Sequence, residues 1–202
     1  MTEREIRAAV LLWAAREQDR ALILEEVAVG CGVGRIDVLA VGEAAAPGMV
    51  EGWLHGYEIK SEADTCRRLA TQVPTFSLVF DRVTLCVDAK HEKEALAKSP
   101  GWWGVEVFSW LHGAAVMRTA RFAHDNPGEV AAWQMHLLWR EELEALATRY
   151  DMHRGMRKLS KPRLAARILA GVGPAQLRHL VRLALRQRPE WWRLRQPKPE
   201  TP

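Results

Sequence analysis

The sequence is poor in cysteine and has no long hydrophobic run. Its 202 residues include three cysteines, Cys31, Cys66 and Cys86. So few cysteines, in an odd number, exclude a disulfide framework and favour a reducing compartment, so we expect a cytoplasmic protein. No stretch reaches the roughly 18 apolar residues that a membrane span needs. Charged residues also interrupt the apolar positions at the N-terminus, where a signal peptide would need one continuous run. We therefore expect no membrane partner.

Familiar zinc-binding patterns are lacking as well. The cysteines show no CxxC spacing, and the seven histidines are scattered along the chain. The sequence therefore does not predict a zinc site.

The overall composition is that of a soluble folded protein. Hydrophobic residues make up 48% and charged residues 27%, which excludes disordered, collagen-like and coiled-coil classes. The net charge of +4 conceals an asymmetry: residues 1–150 hold 16 basic and 22 acidic residues, whereas residues 151–202 hold 13 and 3. The basic character therefore lies in the tail.

Hydrophobic periodicity predicts an α/β fold with the element order αβββαβαβ, followed by helices alone. Thr2 and Glu5 form a capping-box pattern at the start of the first helix. The predicted core spans residues 1–127 and has a mixed sheet flanked by helices. An all-helical extension is predicted for residues 128–202. The predicted elements after the first helix are strands at 21–29, 36–41 and 53–60, a helix at 61–73 ended by Pro74, a strand at 80–87, a helix at 92–98, a strand at 104–108, and helices at 129–150, 162–170 and 175–187.

Charged residues interrupt two of the predicted strands. Asp37 lies in an apolar strand, and Glu58 and Lys60 alternate with apolar neighbours in the next one, so their side chains share a face. Carboxylates on adjacent strands suit a hard divalent cation, and a lysine beside them suits phosphate. A structural ion pair on a solvated sheet face is the alternative.

This arrangement resembles the PD-(D/E)XK nucleases, here as Arg35-Ile36-Asp37 and Glu58-Ile59-Lys60. The segments 56–65, 68–72 and 79–85 narrow the likeness to the sce7726 family of bacteria and phages, which is related to MmcB-type DNA repair proteins. The resemblance covers residues 1–110 most strongly. It implies a restriction-endonuclease-like αβββαβ core, Mg²⁺ with Mn²⁺ as a substitute, and a DNA substrate.

The resemblance also implies roles for individual residues. Asp37, Glu58 and Glu26 would be metal ligands, with the backbone carbonyl of Ile59 as a further one. Lys60 would position the attacking water and offset transition-state charge. Gln72 resembles a helical glutamine of the RecB-like branch, although Phe76 stands where that branch usually has tyrosine. Of the neighbours Glu25 and Glu26 only one is expected to face the site, because adjacent strand residues point to opposite sides; Glu26 is preferred.

The basic tail predicts a second nucleic-acid contact. Two short basic helices joined by a glycine-containing turn are typical of a helix-turn-helix-like DNA arm, and a solvated basic helical pair packed on the core is the alternative. Arg68 would contact DNA from the helix that carries Gln72. The predicted contacts in the tail are Arg157, Lys158, Lys161, Arg163, Arg178 and Arg182.

Together these patterns predict a magnesium-dependent deoxyribonuclease acting on duplex or single-stranded DNA. A non-catalytic nucleic-acid-binding or adaptor protein with the same fold is the alternative. The sequence does not decide between DNA and RNA, between endonuclease and exonuclease action, or between a repair and a phage-related role, and it leaves a homodimer open.

Overall fold

The computed structural model describes residues 1–17, 21–29, 34–42, 52–128 and 130–188. The strands within these ranges are Leu22–Val29 (β1), Gly34–Val41 (β2), Leu54–Lys60 (β3), Arg82–Asp88 (β4), Gly104–Leu111 (β5) and Ala114–Arg121 (β6). The helices are Glu3–Glu17 (α1), Leu69–Ser77 (α2), Glu92–Lys98 (α3), Ala131–Gln134 (α4), Arg140–Arg149 (α5), Lys161–Gly171 (α6) and Pro174–Arg186 (α7). Single 3₁₀ turns lie at Cys66–Arg68, Ala89–His91, Met135–Leu137 and Met156–Lys158.

The strands form one mixed sheet in the order β1-β2-β3-β4-β5-β6. The pairs β1–β2, β2–β3 and β5–β6 are antiparallel, and β3–β4 and β4–β5 are parallel. Helices α2 and α3 make the two parallel crossovers. The predicted α/β class, with a mixed sheet, flanking helices and a helical C-terminal part, is confirmed.

Each face of the sheet has its own hydrophobic cluster. Helix α1 places Ile6, Val10 and Ala14 against Val38 and Tyr57 on one face. Helices α2, α3 and α4 to α7 share the larger cluster on the other face. Two consecutive right-handed crossovers running in the same direction put their helices on the same side, which explains why α2 and α3 lie together.

The capping box predicted for α1 is present. The backbone N–H of Thr2 donates to Glu5 Oε2 at 2.9 Å, and the N–H of Glu5 donates to Thr2 Oγ1 at 3.4 Å. These bonds satisfy donors that the first turn of a helix leaves unpaired, so the start of α1 is defined by local sequence.

The helix predicted at 61–73 begins later and passes through Pro74. A turn comes first, in which the N–H and hydroxyl of Ser61 donate to Asp64 Oδ2 at 2.9 and 2.6 Å. Helix α2 then contains Pro74 and continues to Ser77. Beyond Pro74, Phe76 is buried and stacks on Trp103 at 6.3 Å between ring centroids. Core packing therefore outweighs the hydrogen bond that the proline removes.

The single long helix predicted at 129–150 is wrong. The chain is extended at Leu138 and Trp139, which separate α4 and a 3₁₀ turn from α5. The N–H of Trp139 donates to Glu142 Oε2 at 2.6 Å, which caps a new helix start. No glycine or proline stands between the two pieces, so the residue types do not indicate the break.

Strand β6 was absent from the sequence-based prediction. It forms a hairpin with β5 through His112 and Gly113, whose φ angles are +50° and +79°. Most of its side chains are exposed, so it lacks the alternation of buried and exposed residues that indicates a strand.

The C-terminal helices pack against the sheet. Leu164, Ile168, Leu177 and Leu185 belong to the same cluster as strand residues such as Leu39. A boundary between separate units at residues 127 and 128 stays a prediction. Among helices of the described ranges, none is both long and apolar enough to cross a membrane.

Candidate functional site

Asp37 lies where β2 and β3 separate. The paired residues run from Val41 and Leu54 to Val38 and Tyr57, where the ladder ends. One position further along, Asp37 Oδ2 accepts the N–H of Ile59 at 2.7 Å. The side chain therefore takes the place of a backbone acceptor, and the separation of the strands makes room for its carboxylate.

Glu58 and Lys60 lie on β3 beside this opening. Their side chains share a face, and Lys60 Nζ lies 2.5 Å from Glu58 Oε1. The relative exposures are only 2% and 1%, so this is a buried ion pair rather than one on a solvated face. Gln72 reaches the same carboxylate from α2, donating through Nε2 to Glu58 Oε1 at 2.5 Å. The structure thus brings together Glu58, Lys60 and Gln72, three of the residues singled out from the sequence.

The carboxylates of this site are poorly solvated. Burial raises the pKa of Glu58 to about 7, the nearby Asp37 charge adds to the rise, and Lys60 and Gln72 oppose it. Burial also raises the pKa of Asp37, opposed by the N–H of Ile59 and by the cations Arg7 and Lys60. Two neighbouring carboxylates that repel each other are an arrangement that an added cation stabilises.

Two oxygen atoms around Glu58 accept no hydrogen bond from the described part of the chain. They are Glu58 Oε2 and Gln72 Oε1, both buried. A buried acceptor without a donor is costly, and hard divalent cations bind carboxylate and amide oxygens. The donor set around Glu58 therefore fits Mg²⁺ or Mn²⁺.

Arg7 is a component of the site that sequence reasoning missed. Its guanidinium group lies 2.7 Å from Glu26, 3.3 Å from Asp37 and 3.6 Å from Glu25. It also contacts Glu3, one helical turn before it on α1, at 2.6 Å. The i, i+4 spacing of Glu3 and Arg7 was the one sequence signal, and it predicts only a surface pair.

Glu26, the preferred one of the two neighbouring glutamates, lies with Asp37, and the expectation that only one of Glu25 and Glu26 faces the site stays a prediction. Glu26 has φ of +55°, a left-handed conformation inside β1, and it is the position missing from the β1–β2 register. This irregularity interrupts the alternation of side chains, so both carboxylates approach Arg7.

The predicted ligands divide into two groups that meet at Asp37. Ligand oxygens of Glu3, Glu26 and Asp37 lie within 4.8 Å of one another. Glu58 is not in that group and lies instead with Lys60 and Gln72. Ile59 contributes its N–H to Asp37, and a ligand role for its carbonyl stays a prediction.

Arg182 and Arg178, predicted to bind DNA, both pair with Asp81 within the fold. The guanidinium of Arg182 contacts Asp81 and donates to Gln134 Oε1 at 3.1 Å, with 4% of its side chain exposed. Arg178 lies 2.9 Å from the same aspartate. Asp81 Oδ2 also accepts the N–H of Leu54 at 2.6 Å, at the opposite end of β3 from Lys60. These contacts anchor α7 to the sheet, so we omit Arg182 from the proposed DNA contacts.

The other predicted DNA-binding residues are more accessible. Arg68 is exposed at the end of the turn before α2, and Arg157, Lys158 and Arg163 are exposed in the extension. Lys161 is partly buried and donates to the carbonyl of His136 at 3.3 Å. Of these exposed basic residues, Arg68 is close to Gln72 in the sequence, and the other three lie in the C-terminal extension.

Comparison with known protein families gives a match over nearly the whole chain. The family model of bacteriophage P4 protein cII matches residues 1–194. The chain belongs to this family. The match spans both the sheet and the helical extension, so both parts of the chain belong to the bacteriophage P4 protein cII family. No curated protein and no solved structure matches the chain. The likeness to sce7726 proteins and PD-(D/E)XK nucleases stays a prediction from the sequence.

Proposed function

We propose that this protein is a metal-dependent nuclease that hydrolyses DNA phosphodiester bonds. The observation that carries the proposal is the buried Glu58 carboxylate, which has an unpartnered oxygen and lies between Lys60 and Gln72, next to Asp37. The order α1, β1 to β3, α2, β4 supports a restriction-endonuclease-like core. Perturbed carboxylates of this kind are typical of sites with a chemical task.

Asp37 and Glu58 would hold Mg²⁺ or Mn²⁺. A divalent cation at such a site stabilises charge on a phosphoryl oxygen and makes a bound water more acidic. The N–H of Ile59 fixes the orientation of Asp37, and Gln72 fixes that of Glu58. Both carboxylates are thereby held in place before any ligand arrives.

Lys60 provides a fixed positive charge at the site. Its Nζ is held against Glu58 and is buried by the surrounding fold. In a poorly solvated site a preorganised cation stabilises negative charge on the phosphate oxygens of the transition state more strongly than it would in water. Arg68, exposed one step before α2, would contact the DNA strand near Gln72.

Cleavage assays test the proposal. The purified full chain would be incubated with single-stranded and duplex DNA in Mg²⁺ or Mn²⁺, beside Asp37→Ala and Lys60→Ala. We expect cleavage by the unmodified protein and its loss in both variants. Equal cleavage by all three proteins would overturn the proposal, as would the absence of cleavage on every substrate, RNA included. Cleavage confined to RNA would keep the chemistry and replace the substrate.

Arg7 favours one alternative, a non-catalytic nucleic-acid-binding or adaptor protein. Its guanidinium already neutralises Glu26 and Asp37, as a structural ion-pair network would. Titration calorimetry with Mg²⁺ and Mn²⁺ separates the two functions. Metal binding that disappears in Asp37→Ala supports the nuclease, whereas DNA binding without metal binding supports the alternative. Deleting residues 151–202 is a poor test of either, since α7 is anchored to Asp81.

A further inference from the structure

Three metal-ligating side chains meet outside the acidic site. Cys66 begins the 3₁₀ turn before α2, His91 ends the turn before α3, and Glu94 lies in the first turn of α3. One ligand atom from each lies within 4.8 Å of the other two. Together they offer a sulfur, an imidazole nitrogen and a carboxylate oxygen, which are the donor types that zinc binds.

His91 has the kind of hydrogen-bond partner that a ligand histidine has. Its Nε2 lies 3.1 Å from the carbonyl oxygen of Ser61, and the side chain is buried. A hydrogen bond from Nε2 to that carbonyl leaves the lone pair of Nδ1 available. Histidine ligands usually donate their second ring nitrogen to a carbonyl or carboxylate in this way.

Cys66 and Glu94 complete the set at different depths. Cys66 is 1% exposed, and its thiol hydrogen-bonds to the Glu94 carboxylate. Glu94 has 42% of its side chain exposed and is also held by Lys98, 2.5 Å away. The site is therefore closed on the cysteine side and open to solvent on the glutamate side.

We propose that Cys66, His91 and Glu94 bind one Zn²⁺ ion, with water as the fourth ligand. Binding deprotonates the Cys66 thiol, the proton passes to the buffer, and the sulfur–zinc bond replaces the hydrogen bond to Glu94. The site shares no residue with the acidic site, and the proposal does not depend on nuclease activity.

Zinc at this position would link the turn before α2 to the start of α3. Cys66 precedes the helix that carries Gln72, and the Nε2 bond of His91 reaches Ser61, the residue after Lys60. Binding would therefore stabilise the elements that position the acidic site without supplying a group to it. Helix α2 and strand β4 lie between Cys66 and His91 in the sequence. This separation explains why a search for short ligand-spacing motifs does not reveal the site.

Cobalt substitution tests the proposal in the full chain. Co²⁺ bound to a thiolate gives a near-ultraviolet charge-transfer band, so each cysteine can be examined by spectroscopy. We expect one equivalent of Co²⁺ to produce the band and Zn²⁺ to displace it. Cys66→Ser should abolish the band, whereas Cys31→Ala, Cys86→Ala and Asp37→Ala should retain it.

A second variant covers the case in which Cys66→Ser fails to fold. Glu94→Gln changes a partly exposed side chain and removes the charge of a direct ligand. It should weaken zinc affinity by at least about 100-fold, the upper end of the effect of losing an outer-sphere partner. Calorimetry in two buffers should show proton release on zinc binding by the unmodified protein. Absence of the band, its persistence in Cys66→Ser, or its loss in Cys31→Ala would overturn the proposal, and so would unchanged affinity in Glu94→Gln.

Discussion

Asp37 accepts the backbone N–H of Ile59 at 2.7 Å, on the strand next to its own. The bond lies just beyond the last paired residues of β2 and β3. The Asp37 side chain therefore supplies the hydrogen bond between the strands at the point where backbone pairing has ended. This bond fixes the carboxylate close to Glu58, whose pKa burial raises to about 7. The separation of β2 and β3 therefore creates the acidic site, because it makes room for the Asp37 carboxylate beside Glu58.

Replacing Asp37 tests this hydrogen bond through stability. Asp37→Ala leaves the N–H of Ile59 without its acceptor, at a cost of roughly 1–3 kcal/mol. Asp37→Asn keeps an amide oxygen in reach and should cost less, although both variants remove the same charge. Urea unfolding compares them, and equal losses would contradict the role given to Ile59.

The buried contact between Asp81 and Arg182 should dominate the attachment of α7. Asp81→Asn removes the charge that compensates a buried guanidinium and should lower the free energy of unfolding by about 3–5 kcal/mol. Asp125→Asn is the matched control, because its pair with Arg82 is exposed and should be worth under about 1 kcal/mol. Similar effects of the two substitutions in urea would show that the extension is held in another way.

His55 should make stability depend on pH. Burial lowers its pKa to about 3, and its Nε2 lies 2.8 Å from Thr84 Oγ1. Because the folded protein resists protonation, the unfolded state binds more protons below pH 6.5, and stability falls as pH falls from 6.5 towards 3. The free energy of unfolding should drop by about 2 kcal/mol between pH 7 and pH 5 from this group.

The control for that prediction is His55→Gln, measured at the same two pH values. The difference between the two proteins isolates His55 from the other histidines. The unmodified protein should lose more stability on acidification than the variant, and parallel losses would mean that His55 is protonated in the folded state.

Exposed basic residues of the extension should set the salt dependence of DNA binding. Replacing Arg157, Lys158 and Arg163 by glutamine should weaken binding and reduce the slope of log affinity against log salt by up to about 2.7 if each contacts a phosphate. Lys93→Gln, an exposed change on α3, should leave the slope unchanged. An unaltered slope in the triple variant would exclude this face as a DNA contact.

Much of the sheet was predictable because its residues follow simple periodicity. Period-two alternation in β3 predicts that Glu58 and Lys60 share a face, and the structure has them in contact. Local chemistry likewise predicts the cap formed by Thr2 and Glu5. These features depend on neighbours in the sequence, which a pattern can report.

The rest depends on contacts between distant parts of the chain. Arg182 meets Asp81 across 101 positions, so its helix has the charge pattern of a DNA-binding surface although this side chain is buried. The interruption at Glu26 changes which carboxylates face Arg7, and nothing in the residue types of β1 indicates it. Exposed β6 has no buried face to produce a pattern.

The central claim is that the site of Asp37 and Glu58 hydrolyses phosphodiester bonds with a divalent cation. The most direct measurement is the single-turnover cleavage rate of end-labelled DNA in Mn²⁺, for the unmodified protein, Glu58→Gln and the exposed control Glu62→Gln. The account predicts a rate lowered at least about 100-fold in Glu58→Gln, comparable to the loss of one preorganised catalytic contact, and an unchanged rate in Glu62→Gln. Equal rates for all three proteins, or no cleavage by the unmodified protein, would contradict it.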